Sequence, residues 1–148
     1  MKKLLHRWAM RRFDADAIRA AIEAAERGTS AEIRVSIAPL VFGNVENVAR
    51  RAFERLGMGN TQEKNGVLIL VVPMRHRFHI LGDEGIHAKA GQELWNRAAA
   101  LMQDAFRRGE FTSGLVAGVD EIGQALAQHF PAEGSHPVNE LSNEVDLH

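Results

Sequence analysis

Cysteine is missing from all 148 residues. Disulfides, thiolate chemistry and sulfur-ligated zinc are thereby excluded, and the expected compartment is the cytoplasm, with which such a composition is compatible. An excess of charge of one sign is missing too, since 18 Lys and Arg against 19 Asp and Glu leave a formal net charge of -1. That balance supplies no general electrostatic drive toward nucleic acid or an anionic membrane, and no nucleic-acid partner is expected. No stretch approaches the ~20 apolar residues of a membrane span. The start, Met1-Lys2-Lys3-Leu4-Leu5, mimics the basic region of a secretory signal. His6, Arg7, Arg11 and Arg12 interrupt what would have to be its apolar core, so no signal peptide is expected. Walker A and dinucleotide fingerprints are absent, and Ser30, Ser36 and Ser113 lack a nucleophile-elbow context.

What is present is an ordinary globular composition, 45% hydrophobic and 25% charged, of a length that fits one domain. Its centre is Asn65 to Gly85, NGVLILVVPMRHRFHILGDEG. Val67 to Val72 is an unbroken apolar run too short for an ordinary helix, as expected of a strand covered on both faces. Pro73 to His76 is a short turn, so the next strand, Arg77 to Leu81, is expected antiparallel. Upstream, Glu32 to Pro39 alternates, with Ile33, Val35 and Ile37 on one face and Glu32, Arg34 and Ser36 on a less buried one. Asp14 is placed to cap a helix running to Arg27, and Val45 to about Leu56 carries a second apolar stripe. Ile86 to about Arg107 predicts one long helix, and Thr112 or Ser113 a cap for a last helix ended by Pro131. Strand, helix, strand predicts a parallel pair with a right-handed crossover, to which the third strand adds antiparallel. The expected class is α/β, with a small mixed sheet flanked by helices. Residues 1–13 form a basic N-terminal segment, 14–131 the domain, and 132–148 an acidic, flexible tail with too few apolar residues for a core of its own.

Several of these residues occur in a known order. Thr29-Ser30-Ala31-Glu32-Ile33 enters the first strand, Gly57 to Gly59 precede Asn65-Gly66-Val67-Leu68, and the Gly82 to Gly85 loop follows. Phe106, Gly109-Glu110-Phe111, Gly114-Leu115 and Gly118-Val119 complete the set, which resembles the TPM domain over roughly Ala17 to Phe130. The resemblance implies a three-layer α/β/α sandwich. Members include a thylakoid-lumen protein described as an acid phosphatase with a role in photosystem II repair, metal-binding bacterial envelope proteins and an animal receptor-associated protein. It therefore implies one fold with several functions. Three departures stand out. Neither a signal nor a span is evident, the acidic loop reads Gly82-Asp83-Glu84-Gly85-Ile86 without the aromatic of the usual Gly-Tyr-Gly-Leu-Glu, and Gly91 stands about where an Asp is expected.

With the third strand antiparallel, its end and the start of the first strand share one edge of the sheet, which brings Glu32 toward Asp83 and Glu84. Three carboxylates with nearby carbonyls suit calcium or magnesium. The competing reading has Asp83 capping the following helix, Glu84 complementing its dipole and Glu32 solvated. No organic cofactor is expected. Arg75, His76 and Arg77 lie at the carboxyl end of the central strand, near Gly43 and Asn44, where open α/β sheets tend to bind ligands. They form a candidate phosphate site or a solvated turn. His76, His79 and His87 do not share the spacing of a transition-metal site. Lys2, Lys3, Arg7, Arg11 and Arg12 make the start basic, while Glu133, Glu140, Glu144 and Asp146 make the end acidic, so the two arms could pair with each other or with partners. Leu4, Leu5 and Trp8 are expected to pack on the domain, with peripheral membrane contact as the alternative. The expected function is that of a cytoplasmic, non-catalytic protein-binding accessory in assembly or repair of a complex, docking through the basic start and Asn139-Glu140-Leu141. The alternative is a weak divalent-cation-dependent acid phosphatase in which water activated by a cation held at Glu32, Asp83 and Glu84 attacks a phosphomonoester.

Overall fold

The computed structural model describes residues 2–132 and 143–147. In chain order the elements are α1 (Lys2–Arg12), α2 (Ala15–Glu26), β1 (Glu32–Ile37), α3 (Val45–Arg55), β2 (Gly66–Val72), β3 (Arg77–Gly82), α4 (Glu84–Lys89), α5 (Gln92–Arg107), α6 (Phe111–His129) and β4 (Asp146–Leu147). The strands form one sheet in the order β3, β2, β1, β4. β1 and β2 are parallel with Ile33 opposite Val67, and β3 is antiparallel to β2 with Ile80 opposite Ile69. Connection length decides these directions. The crossover through α3 carries the chain back to the start of a parallel strand, whereas the single turn Pro73–Arg75, closed by His76 at φ 50°, allows only reversal.

All seven residues of β2 are buried because both faces are covered. Val67, Ile69 and Val71 share a core with Ile18 and Ile22 of α2, Ala98 and Met102 of α5, and Leu115, Val119 and Ile122 of α6. Leu70 and Val72 meet Val45, Val48 and Ala49 of α3 on the opposite face, and Leu68 meets Ala52 there. The result is the three-layer α/β/α sandwich. Local signals start two of the helices, the first of them as the sequence predicts. Asp14 accepts from Ala17 N at 3.0 Å to open α2, and Asn44 accepts from Asn47 N at 3.1 Å to open α3. Close approach of α5 and α6 depends on Gly118, where an added Cβ would lie 2.6 Å from the Met102 sulfur.

Four expectations are corrected. The long helix from Ile86 divides into α4 and α5, with Ala90 extended at φ -102°, ψ 136°. The break falls where Gly91 has more conformational freedom to lose in a helix than any other residue. Neither Thr112 nor Ser113 caps α6: Gly109, at φ 74°, turns the chain into a helix that already starts at Phe111. The Thr112 hydroxyl instead accepts from Asp14 N. The second face of β1 is wetter at Arg34 alone, which is half-buried, whereas Glu32 and Ser36 are both buried. Finally, the acidic tail does not stay clear of the domain throughout, because residues 143–147 return and Asp146–Leu147 pair with Ser36 and Ile37 of β1. Glu133 and the Asn139-Glu140-Leu141 arm lie outside the described residues.

Trp8 of α1 packs against the main core, with the Arg12 guanidinium 4.6 Å above its ring, while Leu4 is exposed. The Leu5 side chain lies outside the described part of the structure. Among the described residues no helix is long and apolar enough to cross a membrane.

Candidate functional site

Polar groups gather where β1 and β2 begin and β3 ends. In a parallel pair the N–H groups of one strand point alternately to its two sides. Glu32 N and Ala38 N donate toward β2, to Asn65 O and Val71 O, so the N–H groups of Ile33, Val35 and Ile37 face the outer edge. Glu26, at the end of α2, reaches that edge and accepts from Ile33 N at 2.7 Å. Its carboxyl also shares a hydrogen bond with Glu32. The two side chains are only 8% and 1% exposed. Burial pushes the Glu26 carboxyl up to about 8, the adjacent Glu32 adds to the rise, and the Ile33 N–H opposes it. The raised value keeps a proton on this buried pair at neutral pH.

Beside this pair, Asn65 Nδ2 donates to Glu63 Oε2 at 3.0 Å and to Ser30 Oγ at 3.2 Å, and the Ser30 hydroxyl donates to the same Glu63 oxygen. Thr29 holds the neighbouring corner. Its buried hydroxyl donates to Phe130 O, lies 3.2 Å from Leu126 O and accepts from Ala31 N, which ties the end of α6 to the entry of β1. Across β2, Asp83 N donates to Gly66 O, and Asp83 Oδ1 accepts from Glu84 N at 2.8 Å, capping α4 as the capping alternative proposes. Gly85 N donates to Lys64 O at 2.8 Å. A Cβ at Gly85 would run into the Glu63 carbonyl and stand 2.5 Å from that of Lys64, so only glycine lets the acidic loop seat against this turn.

The sequence places Glu32 and Asp83 correctly at one edge of the sheet. It does not foresee that both flank Gly66, Glu32 in register with it on β1 and Asp83 bonded to it from beyond β3. Two strand spacings, roughly 10 Å, separate their backbones. Glu84 is exposed on the first turn of α4. Among the described residues no group of three His, Asp or Glu side chains is placed to hold a metal ion. Calcium requires six to eight oxygens and magnesium near-octahedral coordination. The convergent carboxyls among the described residues are the two of Glu26 and Glu32. Glu26, Ser30, Glu63 and Asn65 were missed as members of this cluster. One signal for Glu26 was available: Ile18, Ile22 and Glu26 recur at every fourth position, which puts a carboxylate on the buried stripe of α2.

At the opposite end of the sheet, the loops after β1 and β2 are fastened together. Met74 N donates to Pro39 O at 3.3 Å, and Arg75 Nη1 donates to Val41 O at 3.2 Å and Gly43 O at 2.9 Å. Arg75 thus sits beside Gly43, as the sequence implies, and pins a loop. His76 packs edge-on against Phe111, and Arg77 is exposed. The pinned loops hold Leu40, Phe42 and Met74 at 38%, 84% and 47% exposure.

A small mixed sheet between two helical layers, with its acidic loop seated through Gly85, defines this chain as an α/β/α sandwich domain. The family model described as the TPM domain matches residues 9–125, and the chain belongs to that family. The chain is similar to the BA42 protein of the psychrophilic bacterium Bizionia argentinensis, whose NMR structure has 36% sequence identity and a TM-score of 0.85, with 90% of this chain and 92% of that chain covered. The N-terminal domain of cg2496 from Corynebacterium glutamicum has 16% identity and a TM-score of 0.60, covering 84% and 74%. An N-terminal domain from P. gingivalis has 23% identity and a TM-score of 0.62, covering 77% and 76%. These last two share the fold alone. No curated protein matches the sequence.

Proposed function

We propose that this TPM domain is a non-catalytic binding module, working in the cytoplasm as an accessory in assembly or repair of a larger complex, and that it docks a protein partner through the two fastened loops. The observation that carries the reading is Phe42, a phenyl ring left 84% exposed on a loop whose backbone is held by Arg75. Exposed apolar side chains scattered singly need no explanation, but Leu40, Phe42 and Met74 lie on loops bonded to each other. A rigidly presented aromatic anchor loses little conformational entropy on binding. The loops also follow the carboxyl ends of the parallel strands, where α/β sheets commonly bind ligands.

The test is affinity capture from the source cell extract with the immobilised full chain, comparing wild type with Phe42→Ser and Met74→Ser. Both side chains face solvent, so thermal melts should coincide, and a partner held by wild type should be lost with the variants. An identical set of captured proteins would overturn the assignment. Turnover of an aryl phosphate that requires calcium or magnesium, and that fails in the joint Asp83→Asn, Glu84→Gln variant, would favour the phosphatase alternative instead.

A further inference from the structure

The outer edge of β1 is closed in two different ways. At its start the Glu26 carboxyl takes the Ile33 N–H, a contact made within the folded domain. At its end the edge is covered by a strand of only two residues, which arrives from 110 positions away in the chain. Asp146 is read there by a specific set of donors. The Ser36 hydroxyl donates to Oδ2 at 2.9 Å, and the Arg55 guanidinium forks onto the same carboxylate, Nη2 to Oδ2 at 2.8 Å and Nη1 to Oδ1 at 3.4 Å. Two positions earlier Glu144 meets Arg19 Nη1 at 3.1 Å. Val145 and Leu147 pack, partly buried, against the main core. Two cations on different helices, a serine on the strand and an apolar rim thus match an extended segment of alternating acidic and aliphatic residues.

From this we infer that the β1 edge is a peptide-binding groove that recognises an extended Glu-aliphatic-Asp-aliphatic segment by parallel strand addition, and that the chain's own Glu144 to Leu147 is a replaceable occupant. Main-chain pairing supplies the general affinity of such an addition, and the Arg55 fork on Asp146 supplies the selectivity. A two-residue strand buries little, so much of its hold comes from being tethered to the same chain. A partner bearing the same pattern competes with it in trans. The groove stands independently of the Phe42 loops, and either can fail without the other.

The test uses the full-length chain and a fluorescein-labelled peptide with the sequence of residues 143–147. Asp146→Asn in the protein weakens its own tail and should raise peptide affinity at least about tenfold over wild type, the scale of a hydrogen-bonded charge contact. Amide NMR shifts should fall on Val35 to Ala38. Adding Arg55→Glu to that variant should abolish binding, and a peptide carrying Lys in place of Asp146 should restore it. Because Arg55 and Asp146 lie at the surface edge, the amide spectrum away from β1 serves as the check that each variant is folded. Equal affinity for wild type and Asp146→Asn, absence of binding to both, or binding indifferent to Arg55→Glu would each overturn the inference.

Discussion

Replacing Glu26 with glutamine should remove most of a pH-dependent destabilisation built into the wild-type domain. In the unfolded chain this carboxyl titrates near 4.5, and in the folded domain burial beside Glu32 pushes it up to about 8. Between those values the unfolded chain has released a proton that the folded chain retains. Stability therefore falls as pH rises across that window, is fully present below it, and levels off above it. At 1.36 kcal/mol per pH unit the shift sets a ceiling of roughly 5 kcal/mol. Glutamine imitates the protonated form at every pH: its amide can donate to Glu32 while its oxygen accepts from Ile33 N. Urea unfolding of both proteins at pH 5.5 and pH 8.5 gives the comparison, each midpoint being read with its slope. His79 contributes in the opposite sense, since burial lowers its pKa and so costs stability as pH falls below about 6.5. That contribution is common to both proteins and cancels in their difference. Glu26→Gln should come out more stable than wild type at pH 8.5, by a few kcal/mol, and the gap should narrow at pH 5.5. Parallel pH profiles, or a variant less stable at pH 8.5, would refute the proton-sharing pair.

Two further substitutions and a control probe the same end of the sheet. Gly85→Ala forces a methyl group into the Glu63 and Lys64 carbonyls and should lower stability by about 3 kcal/mol, measured by thermal melting. Gly91→Ala, with nothing within 4 Å of the new carbon, should lose less than about 1 kcal/mol and serves as its control. Thr29→Val keeps the shape but removes the hydroxyl that joins α6 to β1, and should cost about 2 kcal/mol in chemical unfolding. Unchanged stability would mean that the corner is held by packing alone.

Much of this domain was legible in short stretches of sequence. The apolar run Val67 to Val72 announced a strand covered on both faces, and the lengths of the two connections settled which neighbour is parallel and which antiparallel. Asp14 and Asp83 announced helix starts because a cap is a contact between residues one to three apart. The same logic failed where distant groups compete. Ala90 leaves the helix although apolar periodicity continues through it, and Glu32 is buried although its strand alternates. The partnership of Glu26 with Glu32 required α2 to lie along the edge of β1, and Asp146 found Ser36 only once the sheet had an outer edge to offer. The sequence by itself determined β1, β2 and β3, their directions and the starts of α2 and α3, all governed by periodicity, short connections and neighbouring caps. Only the tertiary structure decided which carboxylates share a proton, which loops stand exposed and which segment closes the sheet, because those outcomes depend on desolvation and on hydrogen-bonding groups that remain open after the layers have packed.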